Sequence, residues 1–258
     1  MSDLFVVATH NLWADERWPE REDALRGLYT TRPPDVLGTQ ELRPATMAML
    51  DDVLDGHRRV EDSFEGWQNE SNIWWDDARF ELAEYGAEDI GHAEASERER
   101  LRRLFWVRLT SRATGRRILI STAHFTWPGT PREIDEYLNP RIRQAHRTGE
   151  VLTELAGDDP CLFMGDLNEH YHPVRVLREA GFMDSFAALG ALARPTHPAV
   201  PTAVPAPNWQ SAHDTPVVID WQMHRGAIRA DVTEVVDFYE GEIAPSDHKP
   251  VITSYRLT

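Results

Sequence analysis

Residues 159–168, DPCLFMGDLN, set a short apolar run directly before Gly165, Asp166 and Asn168. An apolar run of this length bounded by turn residues reads as a buried strand, and its polar end brings a carboxylate and an amide to the rim of a sheet. The organisation recurs in LFVVATHN (4–11), DVLGTQE (35–41) and RILISTAHF (117–125). Further strand-like runs are SNIWW (71–75), LFWVRL (104–109), VVIDWQMH (217–224) and KPVITSYRL (249–257). Between them PEREDALRGLYTT (19–31), RPATMAMLDDVL (43–54) and NPRIRQAHRTGEVLTELA (139–156) carry apolar residues at helical spacing, and VRVLREAG (174–181) ends on a glycine that suits a C-cap. Interleaved strands and helices predict an α/β fold with helix-covered sheets.

The bulk properties narrow the function. At 258 residues, with no linker or internal repeat, the chain reads as one domain over residues 1–258. No apolar run approaches the roughly 18 residues of a membrane span, and MSDLFVVATHNL lacks a basic leader, so a cytoplasmic protein is expected. The lone Cys161 cannot form an internal disulfide and reads as a buried small hydrophobe rather than a catalytic thiol. A formal charge of −16 disfavours extensive duplex nucleic-acid binding, which usually needs a basic surface. The mixed-charge run EASERERLRR (94–103) reads as solvated. The proline-rich segment 194–216 is expected to form a long ordered loop that shapes a cleft.

Five polar motifs fall at strand ends: THN (9–11), TQE (39–41), TAHF (122–125), GDLN (165–168) and SDH (246–248). They supply the carboxylates Glu41, Asp166 and Asp247, the amides Asn11 and Asn168, and the imidazoles His124 and His248. Oxygen donors of this kind suit Mg2+ or Mn2+, whereas zinc would call for more histidine or cysteine at close spacing. The set matches phosphoryl chemistry, in which a metal and neutral or cationic donors stabilise charge on nonbridging oxygens. Asp220 lies inside an apolar strand, where an unpaired acid is costly, so a histidine partner is expected.

In this order the motifs resemble the endonuclease/exonuclease/phosphatase superfamily with the deoxyribonuclease I-like fold, from Thr9 to about Val251. PPDVLGTQE (33–41), NIWWDDARFEL (72–82) and GFMDSF (181–186) are similar to further family segments. The resemblance implies a four-layer α/β sandwich, two mixed sheets face to face with helices outside. It also implies metal ligation by Glu41, Asn11 and Asp247, with Asn168 placing nucleophile and phosphate. His248 would polarise a phosphate oxygen with Asp220 fixing its tautomer, and His124 would donate from the opposite side. The resemblance makes Asp166, in GDLN, the candidate general base, with His248 as the alternative.

The sequence also departs from the family. Ile219 stands where an arginine usually precedes the buried aspartate. Glu70 is one residue out of register for the acid that pairs with the phosphate-side histidine, and reads equally as a surface-loop acid. His10 occupies a position often held by tryptophan or phenylalanine and reads as strand filler, with an extra polar group at the rim as the alternative.

A compact phosphodiester or phosphomonoester is the expected substrate. A nuclease acting on DNA or RNA would need an arginine-lined groove, for which Arg132, Arg141 and Arg143 are the candidates. Trp13, Trp127 and Trp209 are candidates for stacking on a base or sugar, or for packing. A catalytically silent relative that binds a phosphorylated ligand or a protein would be expected to show a broken metal site.

Overall fold

The computed structural model describes residues 4–91, 97–199 and 215–258. The chain runs β1 (Leu4–Asn11), α1 (Glu22–Thr31), β2 (Val36–Gln40), α2 (Pro44–Val53), β3 (His57–Arg59), α3 (Gly66–Asn69), β4 (Ile73–Asp76) and β5 (Phe80–Glu88). It continues through α4 (Glu97–Leu101), β6 (Leu104–Ser111), β7 (Arg117–His124), α5 (Pro131–Glu136), α6 (Pro140–Ala156) and β8 (Cys161–Asp166). It closes with α7 (His172–Glu179), β9 (Met183–Asp184), α8 (Ser185–Ala188), β10 (Asp220–Arg225), β11 (Ile228–Val235) and β12 (Val251–Leu257). Residues 200–214 of the proline-rich segment, Trp209 among them, and residues 94–96 of the charged run lie outside the described residues, as does the Arg132 side chain.

Two six-stranded sheets form, in the orders β11-β12-β1-β2-β4-β3 and β5-β6-β7-β8-β10-β9. Both are mixed, because β1 with β2 and β7 with β8 are parallel while their other neighbours are antiparallel. Successive strand residues face opposite ways. Phe5, Val7, Val36 and Trp75 therefore point inward and pack on Val107, Ile118, Ile120 and Met164 of the other sheet. Ala8, Leu37 and Trp74 point outward onto Leu25, Leu28 and Leu50 of α1 and α2. Leu119 and Phe163 pack outward with Ala145, Leu152 and Leu177 of α6 and α7. The result is the four-layer α/β sandwich anticipated from the sequence.

The strand-like runs become β1, β2, β4, β6, β7, β8, β10 and β12. The remaining strands, β3, β5, β9 and β11, were not separated as strands in the sequence. They occupy the sheet edges, and the exposed positions of β5 and β11 leave no continuous apolar signature. No helix among the described residues is long and apolar enough to cross a membrane.

The sheets meet closely at Gly38, where an added Cβ would lie 2.7 Å from the Met164 side chain. Gly165 is constrained more severely. Its φ is +152°, and a Cβ there would sit 2.0 Å from the backbone oxygen of Ala123 on the parallel neighbour strand. Backbone cannot yield as a side chain tip can, so Gly165→Ala is expected to cost about 3 kcal/mol or more. Urea unfolding of the variant checks this; an unchanged midpoint would show that β7 and β8 can part without penalty.

Candidate active site

The registers of the second sheet set three site residues in one row. His124 ends β7 opposite Asp166 of β8, and Asp166 is opposite Asp220 of β10. On the first sheet Asn11 ends β1 opposite Gln40 of β2, and Glu41 follows immediately. Because the sheets pack face to face, both rims open onto one cleft of about 1170 Å³, lined in part by Asn11, Glu41, His124, Asp166, Asn168 and His248.

Local turns hold the side chains. Asp166 Oδ1 accepts from the Asn168 backbone N–H at 2.8 Å, which lets the chain turn with Asn168 at φ +52°; asparagine tolerates this left-handed region better than most residues. Asn11 Oδ1 likewise accepts from the Trp13 N–H at 3.0 Å, while its Nδ2 donates to Asp166 Oδ2 at 3.0 Å across the two sheets. Ser246 Oγ donates to the Asn11 carbonyl at 2.7 Å and accepts from the His248 N–H at 3.2 Å, tying the SDH turn to the end of β1.

Two acid and imidazole pairs flank Asp166. His248 Nδ1 is 2.9 Å from Asp220 Oδ2, and its Nε2 lies 3.9 Å from Asp166 Oδ2. On the other side His124 Nδ1 is 3.1 Å from Glu70 Oε1, and its Nε2 lies 3.4 Å from Asp166 Oδ2. Asn168 Nδ2 is 3.1 Å from His124 Nε2 and also donates to the Phe125 carbonyl at 3.0 Å. An amide N–H facing Nε2 assigns that nitrogen as acceptor and the proton to Nδ1, toward Glu70.

Burial works against a charged His248, yet Asp220, Asp247 and Asp166 outweigh it and hold the imidazole's pKa well above its usual value. Burial is also the dominant influence on Asp166, raising its pKa against the pull of His248. The Cys161 thiol is buried and pushed up to about 12, which leaves it inert at neutral pH.

Asp247 is half-buried, with its Oδ2 3.6 Å from His197 Nε2. His197, whose ring centroid is 4.7 Å from that of His248, was missed in the sequence, since nothing in PTHP marks it. Arg102, assigned only to a solvated run, is buried with its Nε 3.2 Å from Glu70 Oε1. Glu70 itself is fully buried, which removes the surface-loop reading. His10 is also fully buried, and its ring bonds to the Tyr29 hydroxyl at 2.9 Å and the His248 carbonyl at 3.1 Å, so it supports the site's backbone rather than merely filling the strand.

Trp127 lines the cleft, 45% exposed, and Arg143 lines it too. Arg141, expected beside substrate, is instead 4% exposed and outside the cleft lining. Its guanidinium is held by Glu133 at 2.5 Å, Glu169 at 2.9 Å and the Thr126 carbonyl at 3.1 Å. A buried guanidinium settles on carboxylates of its own chain, and all three of its nitrogens are engaged within the protein. Trp13 packs against Arg21, whose Cζ is 5.6 Å from the ring centroid.

The donor set at this end of the molecule suits a divalent cation. Glu41, Glu70, Asp166, Asp220 and Asp247 gather at this end of the molecule with His124, His248 and Arg102 as the cationic or neutral partners. Asp166, Asp220 and His248 hold potential ligand atoms within 4.8 Å of one another, as do His197, Asp247 and His248. Asp220 Oδ1 is buried with no hydrogen-bond partner. This excess of oxygen donors and negative charge fits a hard cation.

The chain belongs to the endonuclease/exonuclease/phosphatase family, which it matches over residues 8–248. Members of this family are divalent-metal-dependent hydrolases acting on phosphate esters. The fold is shared with an endonuclease/exonuclease/phosphatase family protein from Bacteroides thetaiotaomicron at 18% identity and a TM-score of 0.78, covering 100% of this chain and 99% of that one. D. rerio TDP2, complexed with a single-strand DNA product, is similar at 18% identity and a TM-score of 0.78, covering 98% and 99%. A mannosyl-6-phosphatase from Bacteroides thetaiotaomicron is similar at 18% identity and a TM-score of 0.76, covering 97% and 99%. No protein of curated function matches the chain in sequence.

Removing Arg102 takes a cationic partner from a fully buried carboxylate, so Arg102→Met is expected to lower stability by about 3 kcal/mol. Denaturant titration checks it, and a shift below about 0.5 kcal/mol would place Glu70's compensation elsewhere. A second expectation concerns pH. Burial depresses His10 to about 4, so between there and about 6.5 the unfolded chain binds a proton that the folded chain refuses. Stability from this group is complete above 6.5 and falls as pH drops toward 4. His10→Phe should flatten the urea midpoint across that window, and an unaltered pH slope would contradict the assignment.

Proposed function

We propose that this protein is a phosphoesterase that hydrolyses a phosphodiester or phosphomonoester by in-line attack of water, using Mg2+ or Mn2+. The observation that carries the reading is the row His124, Asp166, Asp220 on one sheet, joined across the sheets by the Asn11 to Asp166 bond and flanked by two acid-supported imidazoles. Glu41, Asp247 and Asn11 Oδ1 would hold the cation. When bound, it would supply charge neutralisation at the nonbridging and leaving oxygens.

Asp166 would take a proton from the attacking water. Its elevated pKa suits a base, and the Asn11 amide and the Asn168 turn fix its orientation. His248 carries its proton on Nε2 and donates to a nonbridging oxygen, with Asp220 fixing Nδ1–H. His124, bonded to Glu70 through Nδ1, would face the phosphate from the opposite side. Asn168 then turns its amide from His124 Nε2 to the phosphate.

The nuclease reading loses Arg141 to buried ion pairs and retains Arg143 at the cleft. With a net charge of −16, a compact ester is favoured over an extended polynucleotide. The retained set of Glu41, Asp166, Asn168, Asp247 and His248 speaks against a silent relative.

The test is hydrolysis of bis-p-nitrophenyl phosphate, p-nitrophenyl phosphate, inositol phosphates, RNA and single- and double-stranded DNA, with Mg2+, Mn2+ or EDTA. Asp166→Ala and His248→Ala are expected to lose about 10²- to 10⁴-fold in kcat. Turnover that survives EDTA, or persists in both variants, would defeat the reading.

A further inference from the structure

The cleft is lined by the catalytic groups and also by segment 126–146, which builds a different kind of surface. Trp127, Tyr137 and Leu138 are 45%, 94% and 60% exposed, and Ile142 stands half-buried; all four line the cleft that also holds Asp166 and His248. Large exposed apolar side chains scattered singly need no explanation, but several facing one cavity mark a binding surface.

Tyr137 strengthens the point. It follows α5 at φ +52°, a left-handed position that glycine or asparagine would occupy at least cost. A tyrosine held there at 94% exposure serves neither core packing nor backbone ease. The wall is also fastened to the catalytic loop. Arg141 bridges Glu133 of α5 and Glu169, and Asn139 Nδ2 donates to the same Glu169 at 2.6 Å. Burial would raise Glu169, but the bonds from Asn139, Arg141 and His172 outweigh it and hold the carboxyl at about 2. At the rim Arg143 and His146 line the cleft one helical turn apart, and Arg143 makes no ion pair with another described residue.

Resting on the phosphoesterase reading, we propose that the substrate is a phosphate ester that carries an aromatic group on its non-reacting side, stacked on Trp127 and Tyr137 against Leu138 and Ile142. One cleft holds both the wall and the catalytic groups, so a single ligand can touch both. Two exposed aromatic side chains and a guanidinium in the same lining select a flat ring with a polar edge. An alkyl chain would gain from those rings no more than from leucines.

Phosphonates test this independently of turnover, because their C–P bond is not a phosphate ester. Calorimetric titration with Mg2+ compares phenylphosphonate and 1-naphthylphosphonate with methylphosphonate and hexylphosphonate. The aryl compounds are expected to bind at least tenfold tighter than either alkyl compound. That preference should fall below threefold in Trp127→Ala and in Tyr137→Ala, and persist in Leu192→Ala, a surface change away from the cleft lining. Equal binding of aryl and methyl compounds, tighter binding of the hexyl compound, no binding of any phosphonate, or a preference unmoved in both wall variants would overturn the proposal. An aryl preference in a protein that hydrolyses no ester would uphold the wall and sink the phosphoesterase reading instead.

Discussion

The rest of the molecule depends on two sheets meeting at one fixed register. Over most of the interface the contact is apolar, Val7 and Val36 against Ile120 and Met164, which is non-directional and would tolerate sliding. Directional bonds appear where sliding would be ruinous. Gln40 Nε2 reaches Thr122 Oγ1 at 2.7 Å, Gln222 Nε2 reaches the carbonyls of Val251 and Val7 at 2.7 and 3.1 Å, and Asn11 Nδ2 reaches Asp166 Oδ2. The N–H side of each glutamine amide is paired while Gln40 Oε1 and Gln222 Oε1 are buried without a hydrogen-bond partner, so the donated bonds are what set the register. The site is thus assembled by the same bonds that align the sheets.

That arrangement also explains the density of charge. Asp166 and Asp220 sit on neighbouring strands with almost no exposure, a repulsive pair that folding alone would avoid. His248 lies against both, and its protonated ring offsets them; on the other side Glu70 is offset by Arg102 and bonded to His124 Nδ1. Alternating acids and bases let a negatively charged rim persist at the mouth of a cleft without unfolding it.

Much of this was legible in the sequence because central strands announce themselves. Runs such as CLFM and RILIS are buried on both faces and end in polar triplets, so strand, rim and candidate ligand could be read together. Edge strands could not. β5 and β11 face solvent along much of their length, and β3 and β9 are too short to carry a period. The misplaced residues share one cause, since a sequence does not say which charge will find which. Arg141 was assigned to substrate but closes on Glu133 and Glu169. Arg102 was given to solvent but closes on Glu70. His197 reaches Asp247 only through a loop whose path no local pattern encodes.

The Arg141 clasp has a bearing on how such proteins diversify. It binds the α5–α6 segment and the residue after GDLN into one mechanical piece, with both carboxylates and the guanidinium inside it. A new wall brought in by recombination would arrive without its counterpart unless Glu169 travelled with it. The unit of exchange is therefore a pair of segments distant in sequence, and grafting either alone would leave a buried charge stranded at the edge of the catalytic loop.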